Sequence, residues 1–515
     1  MIRGNLGAPR KLLEPAVRHR LALAIVFVVY AGPGAALHLQ PEYEVPARRR
    51  GGGGWLSETG PDGVDHRPPA VFIGIGEIFY RLQAIELSYV AFALLAATYA
   101  YALAGCVAAA NLYNDRRPPE FLLFAALFLM FHAWRATFSD GLADQFLLGR
   151  DFQPCVFGVL LLMSIHQYLV GRVTAALLLC VATATLHPDY LPTCLACGLV
   201  FSLFDPQPER RFWARCILAH VSLLVILLAP GVLYLLRFAR PTSTAAWQQA
   251  MHLLAEVRIP HHASVSTWFG VSAVARLLVM TAGTYYARRR ALIIVMDALW
   301  SLIGGSIVIA VLFPVPVLEA ITPWRASVVL MPLALTVILA RIARWTAQQL
   351  EGRERLIVNL DLAVMVLAVA AGIIRQIHRL GEYADAASMP SIAVARAGAT
   401  SGQLYLVPPR RRGDFDRFRL KTGVPILIDW KTHPYKDVEL LEWFERYHAA
   451  ADFYAATDPS SARALLDRII ERYRITHVIL PAHAAARDCR ALHPLHETRV
   501  YEMFAASPRM ARAAD

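Results

Sequence analysis

The ionisable residues that could do chemistry fall in a few short segments between long apolar runs. Glu42-x-Glu44 stands a few residues beyond the first run. Carboxylates at i and i+2 in a loop can hold a divalent cation such as Mg²⁺ or Mn²⁺, or one can act as a general base; they equally suit the solvated start of a loop. Asp62 and Asp65 sit in a Gly/Pro-rich stretch and read as turn residues. The segment SDGLADQFLLGRDFQP carries Asp140, Asp144, Arg150 and Asp151 at spacings that suit one helical face or a tight loop. An Arg–Asp pair at a membrane edge is either functional or an interfacial anchor. His187 opens the sequence HPDYLP, and RIPHH supplies Arg258, His261 and His262. Adjacent histidines do not share a helix face, so RIPHH lacks the spacing of a helical metal pair. Arginine's planar fork suits phosphate oxygens, and the competing readings of RIPHH are metal binding and structural hydrogen bonding. Pro323-Trp324-Arg325 opens a further apolar run, with a belt-type Trp beside an Arg that either snorkels or binds a headgroup phosphate.

These segments need apolar elements to position them. The 515 residues are 57 % hydrophobic and 17 % charged, with a mean hydropathy of +0.43; a soluble domain carries about 25 % charged residues. That excludes a secreted disulfide scaffold, a disordered chain and an ordinary soluble enzyme, and it makes the chain a polytopic membrane protein. The net charge of +12 is 51 basic minus 39 acidic residues. The excess is almost all arginine, since only Lys11, Lys421, Lys431 and Lys436 are lysines. In such a chain positive charge marks cytoplasmic loops and lipid headgroups. No aromatic–basic interleaving suggests a nucleic-acid groove, so no nucleic-acid partner is expected. Cys194-x-x-Cys197 lies inside an apolar run with no second ligand pair and reads as packing.

A spanning helix needs about 20 apolar residues. The runs are Leu21–Leu37, Ala84–Val107, Phe121–Phe138, Pro154–Val170, Val173–Leu186, Tyr190–Phe204, Cys216–Leu236, Trp268–Ala287, Ala291–Phe313, Ala326–Ala343 and Leu356–Ile374, which makes about eleven spans. The competing reading of the first run is a signal peptide; Gly32-Pro33-Gly34 and the lack of a small-residue cleavage site favour an uncleaved helix. The two short runs around His187–Pro192 read either as separate spans or as one broken helix. With eleven spans and the N-terminus inside, every inner loop carries arginine, among them Arg116–Arg117, Arg172, Arg210–Arg211 and Arg288–Arg290, as the positive-inside rule requires. The outer loops are then 38–82, 139–153, 187–192, 237–267 and 314–325.

After Ile377 the periodicity changes. Leu404–Val407, Pro425–Trp430, His477–Leu480 and Val500–Phe504 read as strands; Asp437–Phe453 and Pro459–Tyr473 read as helices, the second capped by Asp458. Strands alternating with helices predict a small parallel α/β domain, which an odd span count places outside the cytoplasm. The division expected is a polytopic membrane domain over 1–376 and an extracytoplasmic domain over 377–515. Asp429, Trp430, Lys431, His433, Pro434 and Tyr435 follow a strand, either at a binding crevice or as packing against the membrane part.

RDFQP, HPDYLP, RIPHH, TPWRASVVLMPLA and TGVPILIDWKTHPY leading into LLEWFERYHAAADFY are similar, as a set, to segments of bacterial membrane proteins of unassigned function that resemble the GT-C superfamily of glycosyltransferases. The resemblance runs roughly from Gly141 to Phe504. It implies an all-α, GT-C-like polytopic membrane domain of about eleven helices in the bacterial inner membrane, followed by a small extracytoplasmic α/β domain. It further implies transfer of a sugar from a polyprenyl-phosphate donor to an acceptor on the external face. On that resemblance Glu42 and Glu44 match the loop that supplies the base or metal ligand, although Arg48–Arg50 and four glycines replace the helix such loops usually show. Asp144, Arg150, Asp151, His187, Arg258, His261, His262 and Arg325 become candidates for binding substrate and phosphate. The alternative is a non-catalytic membrane protein, a transporter or a degenerate relative, whose external domain binds a partner.

Overall fold

The computed structural model of the protein describes residues 15–31, 70–82, 87–114, 117–132, 138–149, 152–204, 220–221, 223–229, 232–233, 240–313, 316–384, 389–400, 402–409, 415, 418–428, 430, 434, 436–487 and 491–506. Glu42, Glu44, Asp62, Asp65, Arg150, Asp151, Asp429, Lys431, His433 and Tyr435 lie outside the described residues.

In hydrocarbon every backbone N–H and C=O must pair within the chain, so apolar runs become helices. The long ones are α1 (Pro15–Ala31), α2 (Ala70–Arg81), α3 (Leu87–Ala109), α4 (Pro118–His132), α5 (Val159–Leu169), α6 (Val173–Leu186), α7 (Leu191–Leu203), α8 (Thr244–His252), α9 (Val271–Tyr286), α10 (Arg290–Leu312), α11 (Ser327–Gln349) and α12 (Glu354–Ala384). Residues 223–229 are helical too, so all eleven expected runs contain helix. Among the described residues Leu87–Ala109, Arg290–Leu312 and Pro323–Gln349 are long and apolar enough to cross a membrane; Pro118–His132, Pro154–Leu169, Val173–Leu186 and Val358–Ile374 are shorter apolar helices. α6 and α7 lie side by side, so HPDY reverses the chain and joins a hairpin, and the reading of one broken helix fails.

The loops sort to two ends. At one, Arg289 donates to the Ala109 carbonyl, Arg344 donates to that of Asn111 at 3.0 Å, and Arg117 lies 3.8 Å from Glu351. At the other, the segments around 142, 189, 262 and 325 contact one another, as described below.

Small residues let the helices approach closely. A Cβ on Gly283 of α9 would fall 2.5 Å from the Cα of Ala334 on α11. One buried polar chain ties three helices of the bundle together. Pro332 lacks an N–H, and the Thr336 hydroxyl donates to its carbonyl at 2.6 Å. That hydroxyl must then accept from His132 Nε2 at 3.1 Å, which leaves Nδ1 to accept from the Tyr99 hydroxyl at 2.8 Å. One chain of hydrogen bonds thus joins α3, α4 and α11.

α12 runs on to Ala384, through the boundary expected at 376. Beyond it four strands, β1 (Tyr405–Leu406), β2 (His477–Pro481), β3 (Leu492–Glu497) and β4 (Tyr501–Ala506), form a sheet in the order β1-β2-β4-β3. The sheet is mixed, which corrects the expectation of a parallel one. β1 and β2 are parallel, while β2–β4 and β4–β3 are antiparallel. Parallel pairing needs a long crossover; α13 (Asp437–Ala455) and α14 (Pro459–Tyr473) supply one only between β1 and β2. The strand expected at Pro425–Trp430 reduces to one parallel bridge, Tyr405–Ile426. Asp458 caps α14 as expected, accepting from the Ser461 amide at 2.8 Å.

Replacing Thr336 by Val removes the acceptor for His132 Nε2 inside the bundle. A buried donor left unpaired costs about 1–3 kcal/mol, so Thr336→Val should unfold at a lower temperature in detergent. His132→Leu combined with Thr336→Val should recover part of the loss.

Candidate functional site

The site is built on Arg325. Its helix begins with a 3₁₀ turn, Pro323–Ala326, that follows Thr322 in a left-handed conformation (φ 49°). Trp324, fully buried, donates its indole N–H to the His262 carbonyl at 2.8 Å. With Trp324 fixed, Arg325 reaches the α6–α7 turn. It donates to His187 Nε2 at 2.9 Å and lies 3.2 Å from Asp189 Oδ2. The turn is itself held from below, since the buried Tyr190 hydroxyl donates to the Cys155 carbonyl at 2.9 Å.

A guanidinium only donates, so His187 Nε2 accepts and the neutral ring carries its proton on Nδ1. Burial pushes the His187 pKa down to about 4, with Asp189 opposing and Arg325 adding to the fall. His187 Nδ1 is buried and finds no hydrogen-bond partner among the described residues. For Asp189 burial works against the charge, yet Arg325, His187 and His262 outweigh it and hold the carboxyl below the usual carboxylate range. Its side chain is 45 % exposed, so the carboxylate can meet a ligand.

Within the 237–267 connection, RIPHH runs from the end of a π-helical turn across a bend at Ile259 into the short helix Pro260–Ala263. α8 passes into a π-helical turn, Leu253–Arg258, before Pro260 stops it. π-turns are rare and recur at functional sites. His262 donates from Nδ1 to the Ala143 carbonyl at 2.6 Å, and its ring centre lies 4.0 Å from that of His261, tilted by 40°. Burial and the neighbouring His261 push its pKa down to about 4 as well. Arg258, 9 % exposed, lies with its guanidinium 5.2 Å from the centre of the Trp430 ring. That contact belongs to a larger seam: Trp247, Met251, Leu254 and Val257 pack with Trp430, Trp443 and Tyr447. Thr242 donates from its amide and hydroxyl to the buried Asp437 carboxylate, both at 2.7 Å. Trp430 therefore packs the C-terminal segment against α8.

The third component is the 138–149 segment. Ala143 and Asp144 both have positive φ (58° and 51°), a strain that persists only when surrounding contacts impose it. His262 grips the Ala143 carbonyl, and the Leu142 amide donates to the Ser327 hydroxyl at 2.8 Å. Gly141 packs so closely on Ser327 that a Cβ would stand 2.6 Å from its Oγ. Gln145 is 5 % exposed, and neither end of its amide has a partner among the described residues. Burial pushes the Asp140 carboxyl up to about 6; Arg276 pulls it back and Asp144 adds to the rise. Asp144 itself is exposed.

The structure thus brings His187, His262 and Arg325 together, with His261 beside them and Arg258 in the adjoining seam; Asp144 stands on the rim. Glu42, Glu44, Arg150 and Asp151 lie outside the described residues, and with them the expected cation site; among the described residues no group of three His, Cys, Asp or Glu could hold a metal. Sequence reasoning passed over Asp189. Its signal was an acid between two prolines where an apolar run reverses.

Residues 387–450 match the family model DUF6798, a domain of unknown function. A search of curated proteins found no match. Among solved structures the chain is similar to ArnT from Cupriavidus metallidurans in the apo state, over 95 % of this chain and 98 % of that one, with 13 % identity and a TM-score of 0.44.

A base whose pKa falls on folding binds its proton only when unfolded. Between about pH 6.5 and 4 the unfolded chain therefore holds more protons, and stability is lost as the pH drops through that window. Asp140 acts with the opposite sign between about 6 and 4, so the His187 contribution has to be read as a difference. The native chain should lose more stability than His187→Asn from pH 7 to 4.5, by at most about 3 kcal/mol. Parallel melting curves would contradict the burial of a neutral His187.

Proposed function

We propose that the protein transfers a sugar from a polyprenyl-phosphate donor to an acceptor hydroxyl at the end of the bundle where Arg325 lies. The observation that carries this reading is the Arg325 guanidinium, ordered by His187 and Asp189 where four segments converge beside the exposed Asp189 carboxylate. An arriving phosphate competes with the exposed Asp189 carboxylate for Arg325. Charge-assisted N–H to phosphate bonds then offset the charge of the leaving group.

In the proposed step the acceptor oxygen attacks the anomeric carbon, the bond from that carbon to the phosphate oxygen breaks, and the polyprenyl phosphate leaves. The acceptor proton passes to a carboxylate. Asp140, with a carboxyl poised near 6, suits a general base at neutral pH; Glu42 or Glu44 is the assignment that the sequence resemblance favours. His187 Nδ1–H and the Gln145 amide offer donors and an acceptor to sugar hydroxyls, which would relieve the cost of their burial unpaired. His262 lies near Arg325, with His261 beside it.

A second reading, a non-catalytic membrane protein that binds a partner, is favoured by a cavity of about 440 Å³ on the sheet, lined by Arg487, His496, Glu497, Glu502 and Phe504.

The test is undecaprenyl phosphate binding by the detergent-purified chain, together with sugar release from undecaprenyl-phosphate sugars. Arg325→Ala should weaken binding about ten- to a hundredfold, and Arg325→Lys should restore only part. Turnover should rise with pH with a midpoint near 6 and fall about 10²–10⁴-fold in Asp140→Asn. If Glu42→Gln or Glu44→Gln gives that loss and Asp140→Asn does not, the base is in the first loop. Unchanged affinity in Arg325→Ala would overturn the phosphate reading.

A further inference from the structure

At the opposite end of the bundle, where α9 turns into α10, Arg288 stands exposed with a left-handed backbone (φ 56°). Across from it, on α11, are Arg341 and Arg344, one helical turn apart. The charges of Arg288 and Arg344 both bear on Arg341, as does the Tyr286 ring. Like charges gathered this closely repel, and dispersal around the bundle rim would cost less. Arg289 and Arg344 have structural work, donating to the carbonyls at the C-terminal end of α3, where cations are favoured by the helix dipole. Among the described residues Arg288 and Arg341 make no such contact. Among the described residues no carboxylate lies within 4 Å of Arg288, Arg341 or Arg344, and Glu351 pairs with Arg117.

The surroundings fix the depth of this cluster. Tyr285 is 79 % exposed, Tyr286 44 % and Trp345 62 %, flanking the arginines on α9 and α11. Exposed Tyr and Trp at a helix end mark the headgroup level of a bilayer, and Leu278 and Ile342 continue the exposed surface with apolar side chains. A cluster of cations on neighbouring helices at that level is a site for an anionic headgroup.

We infer that Arg288 and Arg341, with Arg344 beside them, hold the phosphate of an anionic phospholipid where the α9–α10 turn lies against α11. This site lies at the other end of the bundle from Arg325 and stands whether or not the protein transfers a sugar. The lipid would neutralise the cluster, while Tyr286 and Trp345 would lie along its glycerol region.

The full chain in detergent micelles, titrated with phosphatidylglycerol or chain-matched phosphatidylcholine, tests this, with retained lipid counted by native mass spectrometry. Phosphatidylglycerol should be retained in preference to phosphatidylcholine. The Arg288→Gln/Arg341→Gln pair should weaken that retention about 30-fold, roughly fivefold for each cation lost at a membrane surface. Arg288→Lys/Arg341→Lys keeps both charges and should stay within about fivefold of native, which separates lost charge from lost folding. Equal retention of the two lipids, or an unchanged glutamine pair, would overturn the proposal. Displacement of the lipid by millimolar inorganic phosphate would overturn it too, because the site would then belong to a soluble anion.

Discussion

Arg325 is the constraint on which the site depends. A guanidinium this far from bulk water must be matched in charge and in geometry, and the chain matches it from a different helix pair. His187 takes one N–H as a neutral acceptor, and Asp189 supplies the countercharge. Those demands fix the HPDY turn, hence the tilt of the α6–α7 hairpin and the proton on His187 Nδ1. The same short stretch fixes the other segments: Trp324 holds the His262 carbonyl, and Ser327 holds the Leu142 amide. Four residues at the head of α11 therefore organise three loops that are distant in sequence.

Precision at the loops requires a bundle that does not shift. Small residues such as Gly283 and Ala334 bring α9 against α11, and the Tyr99–His132–Thr336 chain ties α3 and α4 to the same helix. Tyr99 also lies near Ser139, so that chain reaches the segment bearing Asp140. The C-terminal segment joins them through Asp437 on Thr242 and Trp430 against Arg258. Membrane core, loops and C-terminal segment thus meet at a single end.

Much of this was legible in the sequence, for physical reasons. Apolar runs must be helical in hydrocarbon, and the arginines separate one set of turns from the other, so the sorting of loops could be read. The sequence also singled out His187, His262 and Arg325, because polar residues at apolar edges are costly to keep, and the fold brings these three side chains together. The sheet was misjudged because short β-rich runs do not state their direction; only connection lengths do, and the hairpin between β3 and β4 was not recognised. Asp189 was passed over because a proline turn explains an acid well enough locally, and its partner is far away in sequence. The role of Trp430 was open between crevice and packing until α8 was seen to be a helix with an apolar face to cover.

The central claim is that Arg325 and Asp189 hold the α6–α7 turn against the head of α11. A double-mutant cycle on the stability of the detergent-solubilised chain, using Arg325→Met and Asp189→Asn, tests it most directly. Because Asp189 is partly solvated, the pair should show a coupling of about 1 kcal/mol or more, with the second substitution costing little once the first is made. Strictly additive losses would mean that the two residues act independently, and that Arg325 does not organise the site.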